Sequence, residues 1–401
     1  MKPAFAFGLP LVMLSLLSAC QRAQQPVAQA PPPAAGIAAV AGEKGGQDQT
    51  GPYEVVADWP KPLSQLPGHE KWTFGAAQGI FAETPNRVFL LQRGELPNLD
   101  RPTEVPYPNV GPSISFPVTQ TPWRNASVGP VSSPGNQGSD GWNGWKGKLG
   151  VDARWEHCVL VVDANGNVTE DWTKWDSLFR RPHSVTMNPY DPEKHIWIVE
   201  DRNHVVYKFS HDGKQLVQTL GIKGVSGNDS THFNRPTFLA WLPDSTMFVS
   251  DGYANTRVVK FDKDGKFLGS ASLAHADGLL PVIHSVVVAP NGEVWVGDRA
   301  STKIVVFDKD LKQRLREIQV GNLTCGFYVD ATGQLWMSTG RHGMVLKMGW
   351  DGKVQGWFGK HGDVRDSHDV GEGHYMAVSK DQKMIFVADS VLAKVHRIEH
   401  N

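Results

Sequence analysis

The sequence predicts an all-β fold, a six-bladed β-propeller with a long loop insert in its first blade. A pattern of short apolar strands and turns recurs along the chain at intervals of about 41 to 53 residues. No segment longer than a turn or two has a persistent helical period. Dipeptides that favour positive φ in hairpin turns separate the strands, at Asp212-Gly213, Asp264-Gly265, Asn291-Gly292 and Asp351-Gly352.

Each repeat contains an apolar first strand, a turn, a second strand that ends near Asp, and a third strand. The complete repeats begin at His183, Pro236, His284, Cys325 and His374. A further unit begins near Trp72, breaks at Gly94 and resumes at His157. Five complete units and one interrupted unit indicate six blades.

The last repeat stops after its third strand, at about Ile398. Propellers commonly close their ring by pairing the two ends of the chain. We therefore expect the segment Tyr53–Trp59 to supply the missing outer strand.

The start of the chain resembles a bacterial lipoprotein signal. A short basic start precedes an apolar stretch over residues 4–18, and Leu17-Ser18-Ala19-Cys20 closes it. The resemblance implies that residues 1–19 are a signal peptide, that Cys20 carries the lipid, and that the protein is exported and anchored to the cell envelope, in the periplasm or at the outer membrane. An ordinary secretory signal with a coincidental cysteine is the alternative.

Residues 20–50 are rich in Ala, Gln, Pro and Gly, so we expect a flexible tether after the lipidated cysteine. Residues 51–401 form the propeller, with the insert at about residues 94–156. The insert is rich in Pro, Gly, Asn and Trp. Such a long loop is either a lid or partner surface over the propeller face on which Arg93, directly before the insert, also lies, or a packed excursion at the blade edge.

The charge balance argues against two classes of partner. Lys and Arg number 40 against 41 Asp and Glu, so neither a nucleic acid nor a polybasic membrane contact is indicated. Contact with the membrane is expected through the lipid anchor only. Cys158 and Cys325 are expected to be isolated, buried thiols.

Three histidines occupy one position of the repeat: His183, His284 and His374 each open a first strand. They are 101 and 90 residues apart, but equivalent positions of a propeller converge on its axis. The three side chains can therefore share one metal ion. A single histidine at a strand start is more often satisfied by backbone partners, and only the common register favours a metal.

Several motifs occur within the repeats, over roughly residues 70–400. They are Gln92-Arg93-Gly94, Pro182-His183-Ser184, Asp251-Gly252-Tyr253-Ala254-Asn255-Thr256-Arg257, His284-Ser285 and Gly297-Asp298-Arg299. The repeats resemble NHL repeats, and these motifs narrow the resemblance to peptidyl-α-hydroxyglycine α-amidating lyases.

This resemblance implies a zinc-dependent lyase. Its substrate is a carbinolamide with a free carboxylate, a small molecule or a peptidyl-α-hydroxyglycine, which is cleaved to an amide and glyoxylate. Zinc is held by His183, His284 and His374, and Tyr253 is the catalytic base. Arg93 and Arg299 are catalytic as nearby cations and bind the substrate carboxylate.

Some positions depart from the family pattern. His368 carries the His-Asp pair that the family has at its last zinc ligand, whereas strand register favours His374, so both stay open. With His374 as ligand, Tyr375 replaces the aspartate that helps to bind a structural calcium, which leaves calcium doubtful. Phe238 also stands where the animal family tends to have Asp.

Two other functions remain as alternatives. A non-catalytic, membrane-anchored NHL propeller would serve as a binding scaffold, because this fold hosts unrelated functions. A calcium-dependent lactonase would need axial carboxylates and Asn, whereas the strand starts here present His, Thr and Cys.

Overall fold

The structure is a computed structural model, and it describes residues 53–56, 58–98, 104–106, 115–117, 154–274, 280–321, 323–340, 342–358, 373–390 and 394–400. These residues form six four-stranded antiparallel sheets and two small two-stranded sheets. The prediction of an all-β, six-bladed propeller is confirmed. The described ranges also contain two short 3-10 helices, Leu63–Gln65 and Thr173–Leu178.

Blade 1 is interrupted, as the sequence predicts. The strands of this part of the chain are β1 (Tyr53–Val55), β2 (Trp72–Phe74), β3 (Ala77–Thr84), β4 (Arg87–Gln92), β5 (Glu95–Pro97), β6 (Glu104–Pro106), β7 (Ser115–Pro117), β8 (Val159–Val162) and β9 (Val168–Asp171). Blade 1 has the order β3-β4-β8-β9, whereas β2 pairs with β5 and β6 pairs with β7. The chain therefore leaves the blade after β4 and re-enters it at β8. Most of the insert lies outside the described residues.

Blades 2 to 5 each use four consecutive strands. Blade 2 contains β10 (Pro182–Met187), β11 (Ile196–Glu200), β12 (Val205–Phe209) and β13 (Leu216–Leu220). Blade 3 contains β14 (Pro236–Trp241), β15 (Met247–Asp251), β16 (Arg257–Phe261) and β17 (Phe267–Ser272). Blade 4 contains β18 (Ile283–Val288), β19 (Val294–Asp298), β20 (Lys303–Phe307) and β21 (Arg314–Gln319). Blade 5 contains β22 (Gly326–Val329), β23 (Leu335–Ser338), β24 (Val345–Met348) and β25 (Val354–Phe358).

Blade 6 is closed by the two ends of the folded region. It contains β26 (Gly373–Val378), β27 (Met384–Asp389) and β28 (Lys394–His400), and β1 pairs antiparallel with β28 as its outer strand. The predicted closure is therefore confirmed. Trp59 follows β1, packs its ring 5.1 Å from that of Phe386 in blade 6, and donates its indole N–H to the Asp163 carbonyl beside blade 1. The closing segment thus contacts both blades that meet at the join.

In blades 2 to 5 the first three strands are mostly buried. Among the fourth strands, β9, β13 and β17 alternate between partly covered and exposed residues, and β21 is mostly exposed. This follows from the ring, because neighbouring blades cover both faces of the inner strands. Large side chains such as Trp295 and Trp336 fill the space between blades. Cys158 and Cys325 are free and buried, as predicted. Among the described residues, no helix is long and apolar enough to span a membrane.

Candidate metal centre and its surroundings

The three histidines of the repeat lie on the innermost strands of alternate blades. His183 is on β10 of blade 2, His284 on β18 of blade 4 and His374 on β26 of blade 6. In all three strands the ladder register shifts at the histidine, so that it has no partner residue on the next strand. A bulge of this kind re-aims one side chain out of the regular alternation.

These three residues, here named the axial histidines, converge on one another. The centroids of their rings are 4.7, 5.0 and 5.2 Å apart. All three side chains are buried, and one nitrogen from each lies within 4.8 Å of the others. The structure therefore brings together residues that are up to 191 positions apart in the chain.

Each axial histidine is oriented by a backbone carbonyl of the following blade. The Nδ1 of His183 lies 2.9 Å from the carbonyl oxygen of Thr237 in blade 3. The Nδ1 of His284 lies 2.5 Å from that of Cys325 beside blade 5, and the Nδ1 of His374 lies 2.6 Å from that of Gln78 in blade 1. Because a carbonyl oxygen can only accept, Nδ1 carries the hydrogen in all three rings. Each neutral ring is thereby left with a lone pair on Nε2.

The axial histidines are neutral. Burial lowers the pKa of His183 and of His284 well below the usual range, and positive charge on neighbouring groups adds to the effect. Burial, together with the positive charge of Arg93, lowers the pKa of His374 to about 3. These rings therefore keep their Nε2 lone pairs throughout the neutral pH range.

The Nε2 atoms of the axial histidines are suitable ligands for one metal ion. The Nε2 of His374 is buried and has no hydrogen-bond partner among the described residues. A buried nitrogen without a partner costs free energy, and a cation at this point would satisfy it. Three neutral imidazoles are also a known ligand set of catalytic zinc.

Tyr253 lies beside two of the three rings. Its hydroxyl oxygen is 2.8 Å from Nε2 of His284 and 3.2 Å from Nε2 of His183. Burial raises the pKa of Tyr253, although the positive charges of Arg299 and Arg181 oppose this shift. The arginines alone therefore do not produce a phenolate at neutral pH. Tyr253 would lose its proton at neutral pH only with a further positive charge beside it.

The loop that carries Tyr253 is held in place by the residues around it in the sequence. The buried carboxylate of Asp251 accepts hydrogen bonds from the side chains of Asn255 and Arg257, at 2.7 and 2.8 Å. Gly252 lies so close to β18 that a Cβ atom at this position would be 1.9 Å from the carbonyl oxygen of Ile283. A glycine is therefore required here for the loop to approach His284.

Arg299 and Arg93 lie next to the axial histidines. Arg299 follows β19, and its Nη1 is 3.3 Å from Nε2 of His284. Arg93 follows β4, is buried, and donates from Nη2 to the side-chain oxygen of Gln78 at 2.6 Å. The structure thus brings all six residues of the predicted site close together.

Two further arginines lie at this site, Arg181 and Arg235, which the sequence motifs above did not indicate. Their guanidinium carbons are 5.9 and 4.6 Å from the centroid of the Tyr253 ring, and that of Arg299 is 5.6 Å away. Arg181 and Arg235 both lie 3.4 Å from one carboxylate oxygen of the buried Asp201. Each comes directly before the proline that begins an inner strand, in Arg181-Pro182 and Arg235-Pro236. This repeated Arg-Pro pair is the sequence pattern from which the two arginines could have been predicted.

Phe238 and Tyr375, which stand where the family pattern has aspartates, pack their rings close to the axial histidines. The Phe238 ring is 5.0 and 5.4 Å from the rings of His183 and His284, and 4.8 Å from that of Tyr375. Calcium takes oxygen ligands, mainly carboxylates and carbonyls. Neither aromatic side chain supplies a carboxylate, and we do not propose calcium. His368, the alternative third ligand, and Cys20 lie outside the described residues.

Comparison with known proteins gives modest similarities. No family model matches the chain. The chain is 33% identical over 174 residues to peptidylglycine alpha-amidating monooxygenase of Rattus norvegicus, an alignment that covers 41% of this chain and 17% of that protein. It is 26% identical over 278 residues to peptidyl-alpha-hydroxyglycine alpha-amidating lyase 1 of Drosophila melanogaster, covering 61% and 49% of the two chains.

Another similarity is to NHL repeat-containing protein 3 of Mus musculus, 31% identical over 147 residues and covering 34% of this chain and 42% of that protein. Among solved structures, a streptogramin B lyase matches with a TM-score of 0.47 and 14% identity over 87% of this chain and 97% of the other. The chain thus spans less than half the length of these curated relatives. It is a six-bladed propeller similar in sequence to amidating lyases and to an NHL-repeat protein.

Proposed function

We propose that the protein is a zinc-dependent lyase that cleaves a carbinolamide, such as a peptidyl-α-hydroxyglycine, to an amide and glyoxylate. The observation that carries the proposal is the convergence of three neutral imidazole nitrogens with the Tyr253 hydroxyl and the arginines around it. The sequence similarity to amidating lyases supports a lyase-like activity.

The axial histidines would hold the metal through their Nε2 atoms, since their Nδ1 atoms already donate to backbone carbonyls. When bound, zinc supplies a Lewis acid that lowers the pKa of a coordinated hydroxyl group. The hydrogen bonds from Nδ1 to the backbone carbonyls keep each ring in the tautomer and orientation that metal binding through Nε2 requires.

Tyr253 is the proposed base. Its oxygen lies within hydrogen-bond distance of two of the three Nε2 atoms, so a substrate hydroxyl bound among those nitrogens would be next to it. Removal of the hydroxyl proton lets the O–H electrons form the new carbonyl of glyoxylate. The C–N bond then breaks, and the amide nitrogen keeps its electrons and takes up a proton.

Arg299 and Arg93 are the proposed partners of the substrate carboxylate. Both lie next to axial histidines, and a guanidinium can bind a carboxylate through two parallel hydrogen bonds. Arg181 and Arg235 lie near the Tyr253 ring and add positive charge close to it. We propose that the four arginines together attract the anionic substrate.

The experiment is to measure zinc content and glyoxylate release with the purified full chain and an N-acyl-α-hydroxyglycine. We expect about one zinc at the axial histidines, and glyoxylate release that is lost in Tyr253→Phe while the zinc stays. Zinc binding with no activity on any carbinolamide would contradict the lyase proposal and favour the binding scaffold. Absence of zinc at the axial histidines would contradict the metal-dependent mechanism.

We also propose that the protein is exported and anchored to the cell envelope through a lipid on Cys20. The support is the sequence Leu17-Ser18-Ala19-Cys20 after a short apolar stretch. We expect labelled palmitate to be incorporated into the wild-type chain and not into Cys20→Ala. Equal labelling of the two chains would refute the anchor, and membrane association without labelling would indicate an uncleaved signal.

A further inference from the structure

The two ends of the insert meet at blade 1, in a place we name the neck. Glu95 begins β5, at the outgoing end, and its backbone exchanges two hydrogen bonds with Arg154 at the returning end, of 2.7 and 3.0 Å. Gly94 has a φ of 63°, and a Cβ atom there would lie 2.4 Å from the Arg154 carbonyl oxygen. The backbone is therefore tightly packed at the neck.

Two histidines share the buried carboxylate of Glu95. The Nδ1 of His69 is 2.9 Å from Oε2, and the Nδ1 of His157 is hydrogen-bonded to Oε1. The ring centroids of the two histidines are 4.5 Å apart. The Glu95 side chain is fully buried, and those of His69 and His157 are 12% and 8% exposed. His69, Glu95 and His157, here named the neck cluster, offer three ligand atoms within 4.8 Å of one another.

The far nitrogens of both imidazoles face carboxylates. The Nε2 of His69 is 3.9 Å from Oε2 of Glu156, and the Nε2 of His157 is 3.6 Å from Oδ2 of Asp171. A carboxylate behind a metal-bound imidazole accepts its N–H and increases the electron density on the ligating nitrogen. Arg154 is a nearby cation: its Nη2 donates to Glu156 at 2.7 Å, and its Nε lies 3.9 Å from Oε2 of Glu95.

We propose that the neck cluster is a second metal site, which binds a divalent ion of the zinc class through two imidazole nitrogens and one carboxylate. Two histidines and a glutamate are a ligand set that zinc accepts, with a fourth position for water. On binding, the metal takes the place of the hydrogen on each Nδ1. In a neutral ring this hydrogen moves to Nε2, toward Glu156 or Asp171, and in a protonated ring, which already carries a hydrogen on Nε2, the Nδ1 proton is released to solvent.

The expected role of this metal is structural. Glu95 and His157 stand at the two ends of the insert, and His69 comes from the segment before β2. A metal held by all three joins chain segments that are 26 and 62 residues apart. Such a cross-link lowers the entropy of the unfolded chain, as a disulfide does.

The test is zinc binding by the full chain, stripped with a chelator and dialysed against zinc, in a His284→Ala background that removes the axial site. We expect about one zinc per chain in His284→Ala and none in His284→Ala/Glu95→Gln. Cobalt(II) bound in the first variant should give visible d–d absorption that is lost in the second. His195→Ala is the matched control, because His195 is similarly buried and pairs with Asp191 at 2.7 Å and with Glu193 at 3.4 Å rather than with either cluster, and it should leave binding unchanged.

An absence of zinc in His284→Ala would overturn the proposal, as would a zinc that Glu95→Gln does not remove. If circular dichroism shows that Glu95→Gln does not fold, His69→Gln replaces it, since His69 lies outside the blade strands. The proposal is independent of the lyase proposal. One zinc in the wild type that survives His284→Ala and is lost in Glu95→Gln would support the neck site and refute the axial one.

Discussion

The axial histidines and the neck cluster use the same side chain in opposite orientations. In the axial group each Nδ1 donates outward to a backbone carbonyl, and the Nε2 atoms face one another. In the neck cluster the Nδ1 atoms face the shared carboxylate of Glu95, and the Nε2 atoms face Glu156 and Asp171. Backbone carbonyls therefore support one group, and carboxylates support the other.

The difference in charge indicates a difference in role. Three neutral imidazoles leave the full charge of a divalent ion in place, so an axial metal would attract anions and acidify a bound hydroxyl. Glu95 would cancel part of that charge at the neck, where Glu156 and Asp171 add further negative charge. This comparison predicts that the axial site is catalytic and that the neck site is structural.

The largest expected effect is on activity in His284→Ala. Loss of a proposed ligand removes the axial metal, and we expect glyoxylate release to fall by about 10³-fold or more, as when a group that stabilises developing charge is removed. Glu95→Gln should change the rate by less than about twofold. A similar loss of activity in both variants would break the proposed division of roles.

The next effect is in Tyr253→Phe, which removes the proposed base and leaves every proposed ligand in place. We expect kcat to fall by roughly 10²- to 10⁴-fold, the usual contribution of general acid–base catalysis. Zinc content, measured by elemental analysis, should stay at the wild-type value. Loss of zinc together with activity would mean that Tyr253 acts by positioning the histidines.

A smaller effect is expected in Arg299→Lys, because an ammonium group cannot form the two parallel hydrogen bonds of a guanidinium. We expect KM to rise about tenfold, which corresponds to roughly 1.4 kcal/mol of lost binding, with a smaller change in kcat. Steady-state kinetics of glyoxylate release measures both constants. An unchanged KM would place the carboxylate of the substrate elsewhere.

Thermal melting in the His284→Ala background tests the structural role of the neck cluster. Zinc at one hundred times its dissociation constant should stabilise the fold by about 2.7 kcal/mol, since the ion binds the folded chain. We expect Tm to rise with zinc in this variant and not after the further change Glu95→Gln. A rise in both would locate the stabilising zinc at neither cluster.

The smallest effect is expected far from both clusters, at Glu83. Burial would raise the pKa of this carboxyl, but hydrogen bonds from His211, Arg87 and Lys194 outweigh it and lower the pKa to about 2, from 4.5 in the unfolded chain. The stabilisation is therefore complete above pH 4.5 and is lost as the pH falls toward 2. Glu83→Gln should lower Tm at pH 7 and flatten its fall between pH 4.5 and 2, with no change in zinc content. A parallel shift of Tm at every pH would contradict the linkage.

The propeller, and the repeat position that faces its axis, could be predicted from the sequence. Strand periodicity and hairpin dipeptides such as Asn291-Gly292 are local signals, and their repetition predicts six blades. Because the same position recurs in each blade, His183 and His284 could be placed on the axis without coordinates, whereas the sequence left both His374 and His368 open as the third residue. The pairing of β1 with β28 followed from a last repeat that stops one strand early.

The orientation of those side chains and the groups around them depend on how the chain folds. The carbonyls of Thr237, Cys325 and Gln78 are backbone groups, which leave no mark in the sequence. Bulges at the histidines turn their rings toward the axis, and this depends on sheet pairing. In the neck cluster, His69 precedes the first repeat unit, Glu95 lies in the insert, and only His157 belongs to a repeat unit. Contacts of that kind arise from packing between distant parts of the chain, so no local pattern or repeat register can predict them.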